Sequence, residues 1–240
     1  MANKAAFVVP ALKKHTATVI MAHGLGDSCT SYRVSLAESW RRRGKFEDVK
    51  FIFPNAPAIP ITVNMGYSMP GWYDIVRRRD DTDFDDLKQA HDEVGILRSR
   101  TTFTKFITDE ISAGIPSNRI ILGGFSQGGA MSLFTGITTP HKLGGIFGLS
   151  CYLVLGDKIK DFAKEASEAN KDTPIFMGHG DSDPLVKLSW GQQTAEVLKK
   201  ELGHKVEMKV YRGLAHSADP EEIDHLEKFI KDCLPTSEAL

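Results

Sequence analysis

Five short apolar runs recur along the 240-residue chain: ATVIMA (17–22), VKFIF (49–53), RIILGG (119–124), GGIFGLS (144–150) and TPIFMG (173–178). None alternates cleanly between apolar and polar residues. A strand with one face in water needs that alternation, whereas a strand covered on both faces does not, so these runs read as strands of a parallel sheet. A sixth strand is expected at VEMKVY (206–211). Helices are expected between them, over 84–112, 127–138, 188–202 and 219–233. The first carries Leu87, Val94, Leu97, Phe103, Ile107 and Ile111 at helical steps, with Gly95 and Thr101-Thr102 as points where it can break in two. The last opens on Asp219-Pro220-Glu221-Glu222, a capping residue, a proline at the first position and early acids. No repeat or low-complexity linker interrupts the series. The expectation is one α/β domain over residues 1–240, a mostly parallel sheet flanked by helices.

Composition narrows the function. With 30 basic and 31 acidic residues the net charge is −1, so no global field draws nucleic acid or anionic lipid. Two basic runs, Arg41-Arg42-Arg43 and Arg77-Arg78-Arg79, read as solvated surface, the second neutralised by Asp80, Asp81 and Asp83. Cys29, Cys151 and Cys233 form neither a CxxC motif nor an even framework, which points to reduced thiols. No signal peptide, 18-residue apolar span or lipidation box is evident, so a cytoplasmic or nuclear location is expected.

The motif that carries chemistry is Gly124-Phe125-Ser126-Gln127-Gly128, which fits G-x-S-x-G between a buried strand and a helix. A serine lifted on a sharp strand-to-helix turn is crowded by neighbouring backbone, and glycines two before and two after remove the Cβ atoms that would collide. The helix N-terminus adds positive potential where an oxyanion would form. The same glycines could belong to an ordinary turn whose serine caps a helix. The flanking strand and helix favour the nucleophile.

A serine nucleophile needs a base, an acid that orients it and oxyanion donors. The run TPIFMG leads into His179-Gly180-Asp181-Ser182-Asp183, which offers two acids, Asp181 and Asp183. VEMKVY leads into Arg212-Gly213-Leu214-Ala215-His216, which offers a base. Both are loops after strands, where open α/β sheets place functional groups, and they follow the serine in the order Ser…Asp…His. His91 and His225 are expected within helices and His15 and His204 near surface turns, so they are poorer candidates. The first strand ends in His23-Gly24-Leu25-Gly26-Asp27, a glycine-rich loop that suits a second oxyanion donor and lacks the P-loop pattern.

With HGLGD, NMGYSMPGWYDI, GIPSNRIILGGFSQGGAMSL, HGDSDPLV and GLAHS in view, the chain from about Val8 to Leu234 resembles the acyl-protein thioesterases. These form part of the phospholipase/carboxylesterase branch of the α/β-hydrolases. The resemblance implies that Ser126 is the nucleophile, His216 the base and Asp183, not Asp181, the acid. It implies the backbone N–H groups of Leu25 and Gln127 as oxyanion donors. It also implies neither metal nor organic cofactor, S-acylated proteins as substrates and lysophospholipids as further ones. The chain departs from the family at Ser150-Cys151-Tyr152-Leu153-Val154, where Ser-Cys-Trp-Leu-Pro is common in a loop that helps line the acyl region.

An acyl chain needs an apolar surface, and the proline-interrupted stretch from Ala56 to Trp72 offers one. Trp72, Met65 and Leu185 are the expected substrate contacts. Contact with membrane is expected to be transient, and the protein to be a monomer or weak homodimer. The same residues would serve a lysophospholipase or general carboxylesterase. A non-catalytic binding protein of this architecture typically loses one of the three groups.

Overall fold

The computed structural model describes residues 5–28, 32–76, 91–166 and 169–235. Seven strands form one sheet in the order β1-β3-β2-β6-β7-β8-β9: β1 (Ala6–Val9), β2 (Ala17–Ala22), β3 (Val49–Pro54), β6 (Ile120–Phe125), β7 (Gly145–Leu149), β8 (Ile175–Gly180) and β9 (Val206–Tyr211). All neighbours are parallel except β1, which runs antiparallel to β3 on one edge. Among the described residues two further strands, β4 (Ala58–Ile61) and β5 (Tyr67–Pro70), make a separate antiparallel hairpin.

The absence of polar alternation follows from two helical layers. In β2, Ile20 and Ala22 face one core, and Val19 and Met21 face the other. The first core packs against α2 (Glu93–Ser112), α3 (Gln127–Thr138), α4 (Ile159–Glu165) and α5 (Leu188–Glu196). The second packs against α1 (Tyr32–Arg42), through Ala37 and Trp40, and α6 (Pro220–Cys233), through Leu226, Phe229 and Ile230. Every residue of β2, β6, β7 and β8 is buried, whereas edge strand β9 exposes Glu207 and Val210.

Several expectations are corrected. Helix α2 is continuous: Gly95 lies in its first turn, where its N–H donates to the Asp92 cap at 2.9 Å, and Thr101 and Thr102 bond back to Leu97 and Arg98 carbonyls. Val94 points outward, 80% exposed, and His91 precedes the helix instead of lying inside it. His204 is buried rather than at a surface turn. The first arginine run is not simply solvated. Arg41 donates to the carbonyls of Val9 and Val49, tying β1 and β3 to α1, and Arg43 and Lys45 both pair with Glu227. The second run, with Asp80, Asp81, Asp83 and Leu87, lies outside the described residues, as does Cys29. No helix among the described residues is long and apolar enough to cross a membrane.

Candidate active site

Strand β6 ends in a reversal at Ser126, whose φ of 54° and ψ of −124° lie where side-chain-bearing residues rarely go. Its surroundings hold it there: Ser126 N–H donates to Leu149 carbonyl at 2.8 Å, and its own carbonyl accepts the first bond of α3 from Ala130 at 2.9 Å. The glycines are there because of crowding. A Cβ on Gly124 would meet the Ala22 carbonyl oxygen at 2.6 Å, and one on Gly128 the same oxygen at 2.5 Å. Neither position accepts a side chain unless β2 moves.

Three loops at the C-terminal edge of the sheet meet at the serine. His216, after β9, brings Nε2 to 2.9 Å from Ser126 Oγ and Nδ1 to 2.7 Å from Asp183 Oδ2. Phe125 lies against the imidazole at 4.8 Å between centroids. Asp183, after β8, uses its other oxygen to accept the N–H groups of Leu185 and Val186, both at 2.9 Å. Burial works against its ionisation, yet the His216 bond and these two N–H groups outweigh it and hold the carboxyl below its ordinary value. The arrangement can take a proton from Oγ and stabilise the resulting imidazolium.

The second acid has a different place. Asp181 is exposed and accepts the Gly213 N–H at 2.7 Å and the Ser182 hydroxyl at 2.9 Å. Chiefly the Gly213 bond, then that of Ser182, lowers its pKa. It fastens the loop of Asp183 to the loop of His216. His179 is fully enclosed, with Nε2 at 2.9 Å from the Val186 carbonyl and 3.7 Å from Asp183 Oδ2. Desolvation lowers its pKa, so it stays neutral and braces the turn.

Leu25, in the loop after β2, and Gln127 border the same cavity as Ser126 and His216. As the first residue of α3, Gln127 has an N–H with no partner inside the helix. Its side chain has a function that the motif does not announce: Oε1 accepts the Trp72 N–H and Nε2 donates to the Tyr73 carbonyl, both at 2.7 Å. Trp72 Nε1 in turn donates to the His23 carbonyl at 2.8 Å, and the Ser99 hydroxyl bonds the Trp72 carbonyl. His23 Nε2 accepts from Ala56 N–H at 3.1 Å, which assigns its proton to Nδ1, facing the Gly24 carbonyl.

The cavity at the serine holds about 620 Å³. Of the three expected substrate contacts, only Leu185 lines it. Trp72 is corrected: its indole is fully buried, edge-on to Phe103 at 4.8 Å, and serves as a strut. The chain bends at Trp72 and Tyr73, and it is Tyr73, next in sequence, that borders the cavity. Met65 is corrected as well. It closes the turn between β4 and β5 in a left-handed conformation, 86% exposed and outside the lining, while Val63 and Asn64 border the cavity. Ile75, Val76, Val186 and Trp190 also line it and are not singled out by the sequence, whereas Tyr152 belongs to the loop that the resemblance assigns to the acyl region. The loop 150–154, assigned to the acyl region by resemblance, is the sequence signal that reaches part of this wall, through Tyr152.

Glu222, three residues beyond the Asp219 cap whose side chain accepts its N–H at 2.8 Å, is no exposed early acid. It is fully buried, its carboxyl packed against Gly178 of β8 with no hydrogen-bond partner among the described residues. Burial, and then the charge of Asp219, push its pKa up to about 8.

The comparisons with known proteins agree with this architecture. The model of the phospholipase/carboxylesterase family matches residues 3–234. Acyl-protein thioesterase 1 of Emericella nidulans is 57% identical over 234 residues, 97% of each chain, and that of Aspergillus fumigatus is 52% identical over 232 residues, 97% of this chain and 94% of the other. Among solved structures, Arabidopsis thaliana SOBER1 superposes with a TM-score of 0.78 at 30% identity, covering 91% of this chain and 99% of its own. Acyl-protein thioesterase 2 of Zea mays gives 0.75 at 25%, covering 95% and 98%. A buried parallel sheet, a serine on its strained turn and a full-length family match lead to one assignment: the chain belongs to the phospholipase/carboxylesterase family of α/β-hydrolases.

Proposed function

We propose that the protein hydrolyses long-chain acyl thioesters on the cysteines of S-acylated proteins, with Ser126, His216 and Asp183 as the catalytic groups. The observation that carries this reading is the Asp183–His216–Ser126 chain, with links of 2.7 and 2.9 Å, opening onto a largely apolar cavity. The choice of an acyl-protein substrate rests on the relatives, whose names state that activity for them.

In this mechanism His216 Nε2 takes the proton as Ser126 Oγ attacks the thioester carbonyl, and Asp183 stabilises the imidazolium. The N–H groups of Leu25 and Gln127 receive the oxyanion, each such donor typically contributing about 3 kcal/mol to the transition state. The tetrahedral intermediate collapses, the C–S bond breaks, and His216 returns the proton to the cysteine sulfur. A thiol leaves readily because its pKa is about 8.5. Water then attacks the acyl-serine with His216 as base again, releasing fatty acid and restoring Ser126. All three groups come from one chain, so a monomer suffices, and a weak dimer is compatible. Cys151 and Cys233 are free thiols, which suits a reducing compartment such as cytoplasm or nucleus.

The test is labelling with a fluorophosphonate and peptide mapping, followed by competition between a palmitoyl-cysteine peptide and lysophosphatidylcholine. The expected result is a label on Ser126, lost in Ser126→Ala, and faster turnover of the peptide. Label on another residue removes Ser126 from the mechanism; preference for the lysophospholipid replaces thioester by oxygen-ester chemistry.

A further inference from the structure

In the first turn of α6, a short loop beyond His216, Glu222 turns its side chain away from solvent and into the sheet. It is 0% exposed, and neither carboxyl oxygen has a hydrogen-bond partner among the described residues. The seat exists because a side chain is missing from β8. A Cβ on Gly178 would stand 2.4 Å from Glu222 Oε1 and 3.0 Å from Leu149 Cδ2, so only glycine leaves room for the carboxyl. An enclosed carboxyl without donors is costly, most of all as an anion, and an apolar side chain would fill the same space without that penalty. A buried acid placed this close to a reaction centre is a functional candidate.

Gly178 is also a junction. Its carbonyl accepts the N–H of Ser150 at 2.8 Å, and the carbonyl of Leu149, one residue earlier, accepts the N–H of Ser126 at 2.8 Å. Ser150 itself sits at φ 47°, and its enclosed hydroxyl has no partner among the described residues. From Gly178 the strand runs on to the loop of Asp183, and from Glu222 the chain runs back through the Asp219 cap to His216. The seated carboxyl therefore bears on the framework behind all three proposed catalytic groups, with no hydrogen bond to any of them. The groups around it supply no counter-charge. Asp219 comes from its own helix start, Cys151 from the loop after β7, and Tyr211, whose hydroxyl meets His225 Nδ1 at 3.1 Å, from β9. Burial first, and then the charge of Glu222, raises the pKa of both the Cys151 thiol and the Tyr211 phenol.

We propose that Glu222 is a positioning residue: its uncharged carboxyl, seated on Gly178, keeps the ends of β7 and β8 and the start of α6 in the arrangement that brings His216 Nε2 to Ser126 Oγ. A carboxylate at this place has no donor to accept from and must leave its seat. The first turn of α6 and the His216 loop move with it, and turnover stops until the proton returns. The inference rests on the Ser126–His216–Asp183 reading given above and is indifferent to the choice between thioester and oxygen ester. It assigns Glu222 no part in the chemistry.

The experiment measures kcat and KM for p-nitrophenyl butyrate between about pH 6 and about pH 9 in wild type and Glu222→Gln, with circular dichroism alongside. In wild type kcat is expected to fall about tenfold from about pH 7 to about pH 9 while KM and the dichroism hold, the drop that one group of pKa about 8 gives when only its protonated form supports turnover. Glu222→Gln, neutral throughout, is expected to match wild type at neutral pH and to lose the alkaline fall. A wild-type kcat that stays level, a fall shared by the Gln variant or accompanied by unfolding, or a folded Gln variant inactive at neutral pH overturns the assignment. Should the variant not fold, infrared spectra of wild type decide. The carbonyl stretch of a protonated carboxylic acid must then vanish over the same pH range as kcat, and a rate that holds while the band vanishes overturns the role. Fluorophosphonate mapping at neutral pH separates the two readings. A label on Ser126 with superimposed alkaline limbs loses the positioning role alone; a label elsewhere removes the proposed triad, and with it the basis of this inference.

Discussion

The turn at Ser126 and the tip of the β4–β5 hairpin border the same cavity and are built on opposite terms. At the turn, added Cβ atoms on Gly124 and Gly128 run into fixed backbone, and the strained Ser126 is held by bonds to β7 and α3. At the hairpin tip Gly66 has nothing within 4 Å of an added Cβ, and Met65 points into solvent. Both contain a non-glycine residue of positive φ, Ser126 at 54° and Met65 at 57°. Only the first is locked by its surroundings. A positive φ alone therefore does not distinguish the proposed nucleophile; enforcement of that φ by close-packed backbone does.

That contrast sets an order of expected effects. Ser126→Ala should lower acyl-ester turnover by roughly four orders of magnitude or more while leaving the thermal midpoint near wild type, as steady-state kinetics and calorimetry can show. A variant that keeps substantial turnover would erase the distinction. Gly128→Ala should reduce stability by about 3 kcal/mol or more in urea titrations, since the obstructing atoms are backbone of β2 and His23. If it folds normally, the crowding argument at the turn is wrong.

Gln127→Ala should cost on the order of 2–4 kcal/mol, because it strands the Trp72 N–H and the Tyr73 carbonyl, and should lower turnover as well. Equal stability in the variant would mean that these two bonds are replaceable. At the other extreme Met65→Ser should change stability by no more than about 0.5 kcal/mol. A larger loss would show that the tip is tied down after all.

Glu222 supplies a comparison in pH. Its folded pKa, about 8, lies above the ordinary carboxylate value, so the native state keeps a proton that the unfolded chain releases. Stability should thus fall as pH rises from about 4.5 to 8, at up to about 1.4 kcal/mol per pH unit from this group alone. Glu222→Gln should flatten that slope in denaturation curves taken across the interval. A slope unchanged by the substitution would show that the carboxyl finds a charged-state partner. Asp183 acts in the opposite sense: its lowered pKa gives stability present above the ordinary value and lost as pH falls through the folded one.

The sheet and the three loops were legible because their signals are local. Unbroken apolar runs announce strands covered on both faces, and residue types at strand ends single out Ser126 and His216, whose side chains meet at 2.9 Å. The choice between Asp181 and Asp183 was not legible from spacing, since both follow β8 and both end up hydrogen-bonded; only one reaches the imidazole. Strand β1 is four residues long with little pattern of its own and forms by pairing with β3. The hairpin was hidden because Pro60 and Pro70 read as breakers, yet an isolated two-stranded ribbon leaves outer edges on which a missing N–H costs nothing. Residue type does not separate Tyr73 from Trp72, because the chain bends at both and the sequence does not say which ring turns to the cavity.

One feature of the wall reaches further than its own stability. The amide of Gln127 grips the backbone at Trp72 and Tyr73, while the N–H of the same residue sits at the serine. Cavity wall and proposed reaction centre are thus two ends of one short lever, with the first residue of α3 as its fulcrum. A ligand that displaces Tyr73 must also tug on the peptide plane beside Ser126. On the proposed mechanism, occupancy of the cavity and alignment of that peptide are thereby coupled through the two bonds of one side chain.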